Sequence, residues 1–96
     1  MEKLMRLTVL LKYMLDVETS DIRGVKDTPE KTMACYLAQK LSGEPDWRIA
    51  KYFQINEAYM NKLIETVSVQ LLMDEKAKEE FVKLENMFKE LERVSV

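Results

Sequence analysis

Histidine is absent from this 96-residue chain, which also holds only one Cys, one Trp, two Gly and two Pro. Without an imidazole there is no His-based acid or base, no His-ligated zinc and no His pH switch. The lone thiol, Cys35 in "ACYLA", has no cysteine partner and no base to activate it, so it reads as a buried structural group rather than a nucleophile. Neither sign of charge dominates: 15 Lys and Arg stand against 17 Asp and Glu, so the whole chain carries no polycationic signal for nucleic acid or for an acidic membrane. Long apolar runs are missing as well. Lys12 interrupts the opening "MEKLMRLTVLLKYMLD" and no small-residue cleavage site follows, so that stretch reads as an amphipathic core helix and the chain as cytoplasmic. No Ser/His or Cys/His pair, metal-ligand spacing or carboxylate pair beside a Gly-rich loop is present, so the residues point away from an enzyme and call for no cofactor or metal.

What is present favours helices. Hydrophobic residues make up 47% and charged residues 33%, with Leu, Met, Glu and Lys abundant, which predicts one all-α domain of five to six helices over residues 1–96. Leu4, Leu7, Leu11 and Met14 or Leu15 recur at helical spacing and predict a first helix from Glu2 to Leu15. A short turn capped by Thr19 or Ser20 should then end at Gly24. Thr28 as N-cap, Pro29 as first helical residue and Gly43 just past the end delimit the next helix, with Met33, Tyr36, Leu37, Lys40 and Leu41 on or near its inner stripe. Asp46 can cap a short helix to Phe53, Asn56 one from Glu57 to about Leu72, and Asp74 a last one whose Ala77, Phe81, Leu84, Phe88 and Leu91 form an apolar stripe. That stripe either closes the core, which the spacing favours, or pairs with a second copy; the final "RVSV" is expected to fray.

The segment "DWRIAKYFQINEAYMNKLIETV" has the spacing of a helix-turn-helix. Ile49, Phe53, Ile55, Met60 and Leu63 are apolar, Ala50 is small where two helices approach, and Gln54 falls where the turn residue, commonly Gly, often takes a left-handed conformation. In such a pair the first helix and turn hold the second at a steep angle, so that its N-terminal half can enter the DNA major groove. Asn56, Glu57, Ala58, Asn61, Lys62 and Glu65 would project outward. Asn can bond adenine at two points, Lys can donate to guanine or phosphate, Ala can touch a thymine methyl and Glu can accept from cytosine, while both glutamates repel phosphates. A solvated face of an amphipathic helix would show the same pattern. Trp47 is expected in the core against the last helix, and Tyr59 either inward or toward a phosphate.

Beyond this segment, "LLKYMLDVETSDI", "KTMACYLAQKLSG" and "RIAKYF", followed by an acidic-capped last helix, resemble the C-terminal DNA-binding domain of the bacterial replication initiator DnaA over roughly residues 10–91. The resemblance implies a Trp-repressor-like helical fold, a role in DNA replication or regulation, and phosphate contacts near Thr28, Lys31, Arg48 and Lys51. The family's Gly-Gly-Arg-Asp-His-Thr-Thr-Val signature is replaced by "QINEAYMNKL", and its basic loop is reduced to Arg23, Lys26 and Lys31 in "RGVKDTPEK". Recognition of the initiator's own binding sequence is therefore not implied. Two functions remain open on the sequence. One is sequence-specific binding of double-stranded DNA, with Asn56, Ala58, Asn61 and Lys62 reading bases and dimerisation adding affinity. The other is the same fold used as a protein-interaction module, favoured by seven Met residues and by a C-terminal third, Leu63 to Val96, with five bases against eight acids.

Overall fold

Leu4, Leu7 and Leu11, three and four residues apart, give the first helix, α1 (Glu2–Leu15), one continuous apolar face, and all three are fully buried. Asp16 follows in the left-handed region, at φ +52°, and stops the helix. The computed structural model describes residues 2–94, apart from the side chain of Val94, so the expectation for the last two residues lies outside what is described. Among the described residues the chain is all-α. Five further helices follow: α2 (Thr19–Arg23), α3 (Pro29–Leu41), α4 (Asp46–Tyr52), α5 (Glu57–Met73) and α6 (Glu75–Val94).

Local chemistry explains the punctuation. The N-cap of α2 is Glu18, not Thr19 or Ser20: its N–H donates to the Asp21 carboxylate at 3.0 Å, and the two hydroxyl residues lie inside the helix. Gly24 ends α2 in an extended conformation, and a Cβ there would collide with the Ser20 carbonyl oxygen, so glycine is required by close approach. Thr28 caps α3 as the sequence predicts, accepting from the Lys31 N–H at 3.1 Å, with Pro29 in the first position. Asp46 sits in the first turn of α4 with Pro45 as its N-cap residue, whereas Asn56 does cap α5, its side chain accepting from the Tyr59 N–H at 3.1 Å. Asp74 accepts from Lys76 and Ala77 and starts α6.

α3 is the central helix, packed against α1, α2, α4 and α5. Its burial is broader than one stripe: Lys31, Ala34, Cys35, Leu37 and Ala38 are buried, because the small Ala34, Cys35 and Ala38 let neighbours close in from several directions. Lys40, expected near that stripe, is instead exposed and pairs with Glu85 of α6 at 3.4 Å. Burial pushes the Cys35 thiol up to about 12, with the nearby Lys31 charge opposing the shift, so it stays protonated and unreactive at neutral pH.

α6 lies on α1 and α5, burying Leu84 and Phe88, with Phe81 set edge-on to Tyr36 at 5.1 Å. This is the core-closing arrangement, and only Leu91 of the stripe is left exposed. Every helix contributes to one core, through residues such as Leu7, Ile22, Leu37, Ile49, Met60 and Phe88. Among the described residues no helix is long and apolar enough to cross a membrane.

Candidate nucleic-acid interface

Ile49 and Phe53 are fully buried and Ala50 nearly so, which anchors α4 and fixes where the chain must turn. The Phe53 N–H donates to the Ile49 carbonyl and the Ile55 N–H to the Ala50 carbonyl, each at 3.0 Å, closing the end of α4. Gln54 lies at φ +56°, the left-handed conformation that the spacing predicts at this position. Its side-chain amide donates to the Arg23 carbonyl. Arg23 in turn donates through Nε to the Tyr52 carbonyl at 3.2 Å and lays its guanidinium 3.8 Å from the centroid of the Tyr52 ring. The turn is thus held by a backbone conformation and by a tie from α2.

A left-handed glutamine carries strain that glycine does not, about 1 kcal/mol. Gln54→Ala should lose the tie and keep the strain, whereas Gln54→Gly should lose the tie and release it. We expect the glycine variant to be more stable than the alanine variant by about 1 kcal/mol in urea denaturation. Equal stabilities would mean that the turn relaxes in both.

α5 leaves this turn with Met60 and Ile64 directed into the core. Ala58, Lys62 and Glu65 are exposed away from them, Asn61 is exposed at the flank, Glu57 is exposed in the first turn ahead of Met60, and Tyr59 is also exposed rather than packed inward. Asn56 is exposed, with its carbonyl oxygen used by the cap and its NH₂ group left to donate. The Asn61 oxygen accepts from the Gln39 amide at 3.2 Å, and the same Gln39 nitrogen donates to the Asp46 carboxylate at 3.1 Å, joining α3, α4 and α5 at the surface. The sequence does not single out Gln39, since a helical glutamine carries no spacing signal. The ridge's charge is balanced: Lys62, with Lys51 from α4, stands against Glu57 and Glu65.

The phosphate candidates fare unevenly. Lys51 is exposed and free of any ion pair among the described residues. Arg48 is partly exposed, paired with Glu44 at 3.0 Å and stacked on the Trp47 ring with its Cζ 5.0 Å from the centroid. Trp47 itself is a correction: it is 53% exposed instead of packed under α6, because the first turn of α4 points it outward. Lys31 is a second correction. It is 0% exposed, its ammonium donating to the Gly24 carbonyl and lying 3.8 Å from Asp27, so it has no outward face for a phosphate. Thr28 is committed in the same way, since its hydroxyl accepts from the Lys31 N–H and donates to the Asp21 carbonyl. Of the three loop bases, Lys31 is buried, Arg23 is part-buried with its Nε tied to the Tyr52 carbonyl, and Lys26 is exposed.

Comparison with protein-family models, with curated proteins and with solved structures returns no match. The likeness to the initiator domain accordingly rests on the quoted residues.

Proposed function

We propose that this chain binds double-stranded DNA, with the first two turns of α5 entering the major groove. The observation that carries the reading is the exposed polar set of Asn56, Glu57, Ala58, Asn61, Lys62 and Glu65, delivered by the left-handed bend at Gln54 while Met60 and Ile64 anchor α5 in the core. Lys51 and Arg48 serve as phosphate contacts from the preceding helix, with Lys62 a third cation at the ridge. Asn61 and Asn56 read base edges through their amide NH₂ groups. A role in replication or regulation, and a Trp-repressor-like relation to the initiator domain, belong to this proposal and draw their support from the residue pattern.

Titrating mixed duplex DNA against rising salt tests it. Each phosphate contact contributes about 0.9 to the log-log slope, so two or three contacts should give a slope of roughly 2 to 3. Lys51→Ala should weaken binding to all sequences alike and reduce that slope by about one contact. Asn61→Ala should flatten sequence preference by about 0.5–1.5 kcal/mol at one base pair, the range for one amide donor, read on sites selected from a random duplex pool. Absence of binding at low salt removes the proposal. It would favour the protein-interaction reading, for which the specific observation is that Glu57 and Glu65 leave the ridge without a net positive field.

A further inference from the structure

The outer face of α1 is apolar where it has no partner. Met5, Val9 and Tyr13 lie four residues apart, so they form one stripe, and they are 57%, 48% and 80% exposed. Beside the stripe runs a groove of about 280 Å³, walled by Lys12 from the same helix, Arg23 from α2 and Tyr52 from α4. Among the described residues no carboxylate lines it, although the chain as a whole carries a formal net charge of -2. Neither Lys12 nor Arg23 makes an ion pair among the described residues.

Arg23 is the decisive group. Its Nε bond to the Tyr52 carbonyl and its stacking on the Tyr52 ring fix the plane of the guanidinium, while its terminal nitrogens have no acidic partner. A fixed, uncompensated guanidinium fork matches a carboxylate in two-point geometry, and little side-chain freedom remains to be lost on binding. The groove falls at the lower limit of volumes that hold whole small molecules, and fits one or two side chains. Tyr, Met and Arg are also the residue types that protein interfaces concentrate.

We propose that this groove docks an acidic, amphipathic peptide segment of a partner protein, with apolar side chains on the Met5, Val9 and Tyr13 stripe and a carboxylate on Arg23 and Lys12. A DNA backbone is disfavoured as occupant, because its phosphates would meet Arg23 while leaving the apolar stripe without a matching surface. The site is separate from the α5 ridge, so it stands whether or not the chain binds DNA.

The test is a titration of the ¹⁵N-labelled chain with a short synthetic peptide in which Asp and Glu alternate with Leu and Phe at helical spacing, beside its Asn and Gln counterpart. The acidic peptide should shift the amides of Met5, Val9, Tyr13 and Arg23. Combining Lys12→Glu with Tyr13→Ala should weaken its binding about tenfold. Both substituted residues are exposed, so the melting temperature should hold, which separates loss of docking from loss of fold. The proposal is overturned if no amide moves, if the neutral peptide binds equally well, or if the double variant binds unchanged. It is also overturned if the stripe amides move with protein concentration alone, which would assign the face to a second copy, or with duplex DNA and not with peptide.

Discussion

Replacing Phe53 with alanine should lower stability by about 3–5 kcal/mol, the range for deleting a buried aromatic side chain. The ring is fully buried, packs edge-on to Tyr52 with centroids 5.0 Å apart, and belongs to the C-cap residue that follows α4 and leads into the bend. Its neighbours cannot readily collapse into the space. Ile49 and Ala50 are fixed by the helix they belong to, and the Ile55 N–H is bound to the Ala50 carbonyl across the turn. Against a total stability of about 5–15 kcal/mol for a typical domain, such a loss would leave a measurable unfolded population near 37 °C. Phe53→Leu keeps most of the volume and should cost less than about 1.5 kcal/mol. Urea midpoints for the pair check both figures, provided the slopes agree. A loss below about 1 kcal/mol in the alanine variant would contradict the buried position of the ring.

Lys31 should give the second large effect, and two substitutions divide its causes. Lys31→Ala removes three buried methylenes, about 0.8 kcal/mol each, and leaves the Gly24 carbonyl without its ammonium donor, a further 1–3 kcal/mol or so. Opposing this is relief from holding a charge inside the protein, which costs several kcal/mol before its partners compensate. Here they compensate incompletely, because Asp27 is half exposed and 3.8 Å away. We expect a net loss of about 2–4 kcal/mol for Lys31→Ala, on the order of 10–20 °C in Tm for a chain of this size. Lys31→Met keeps the stem and gives up only the ammonium, and should stay within about 1 kcal/mol of the native chain. Two equally destabilised variants would mean that the hydrogen bond to Gly24, not the packing of the stem, holds the α2–α3 connection.

Lys31 also marks where the sequence is hard to read. A lysine one turn into a well-capped helix is an ordinary surface residue by every local rule, and only the approach of the α2–α3 loop encloses it. The same holds for the faces of α3: its spacing suggests one inner stripe, but Ala34, Cys35 and Ala38 are buried by neighbours that spacing cannot reveal. Boundaries set by local chemistry were legible, as at Thr28-Pro29 and Gly43 for α3 and Asn56 for α5. Gln54 was legible too, because the length of the connection demands a left-handed residue whatever its identity. The cap of α2 was not, since an acidic residue and two hydroxyl residues in succession can each serve and the direction of the chain decides. For the candidate ridge, Met60 and Leu63 among polar residues announced which side faces in, although Ile64 rather than Leu63 is the buried partner of Met60. Trp47 went the other way from its expectation because bulk and hydrophobicity alone favour burial, while its place in the first turn of α4 aims it outward beside Arg48.

The tie between α2 and the bend at Gln54 bears on dissection of the molecule. Five residues of helix are too few to persist in isolation, so α2 borrows its order from the Tyr52 and Gln54 groups that grip Arg23. The bend borrows from α2 in return. An excised fragment holding α4 and α5 alone would lack this reciprocal clamp and, with it, the fixed angle between the two helices, so the pair is not a portable cassette but a property of the whole chain.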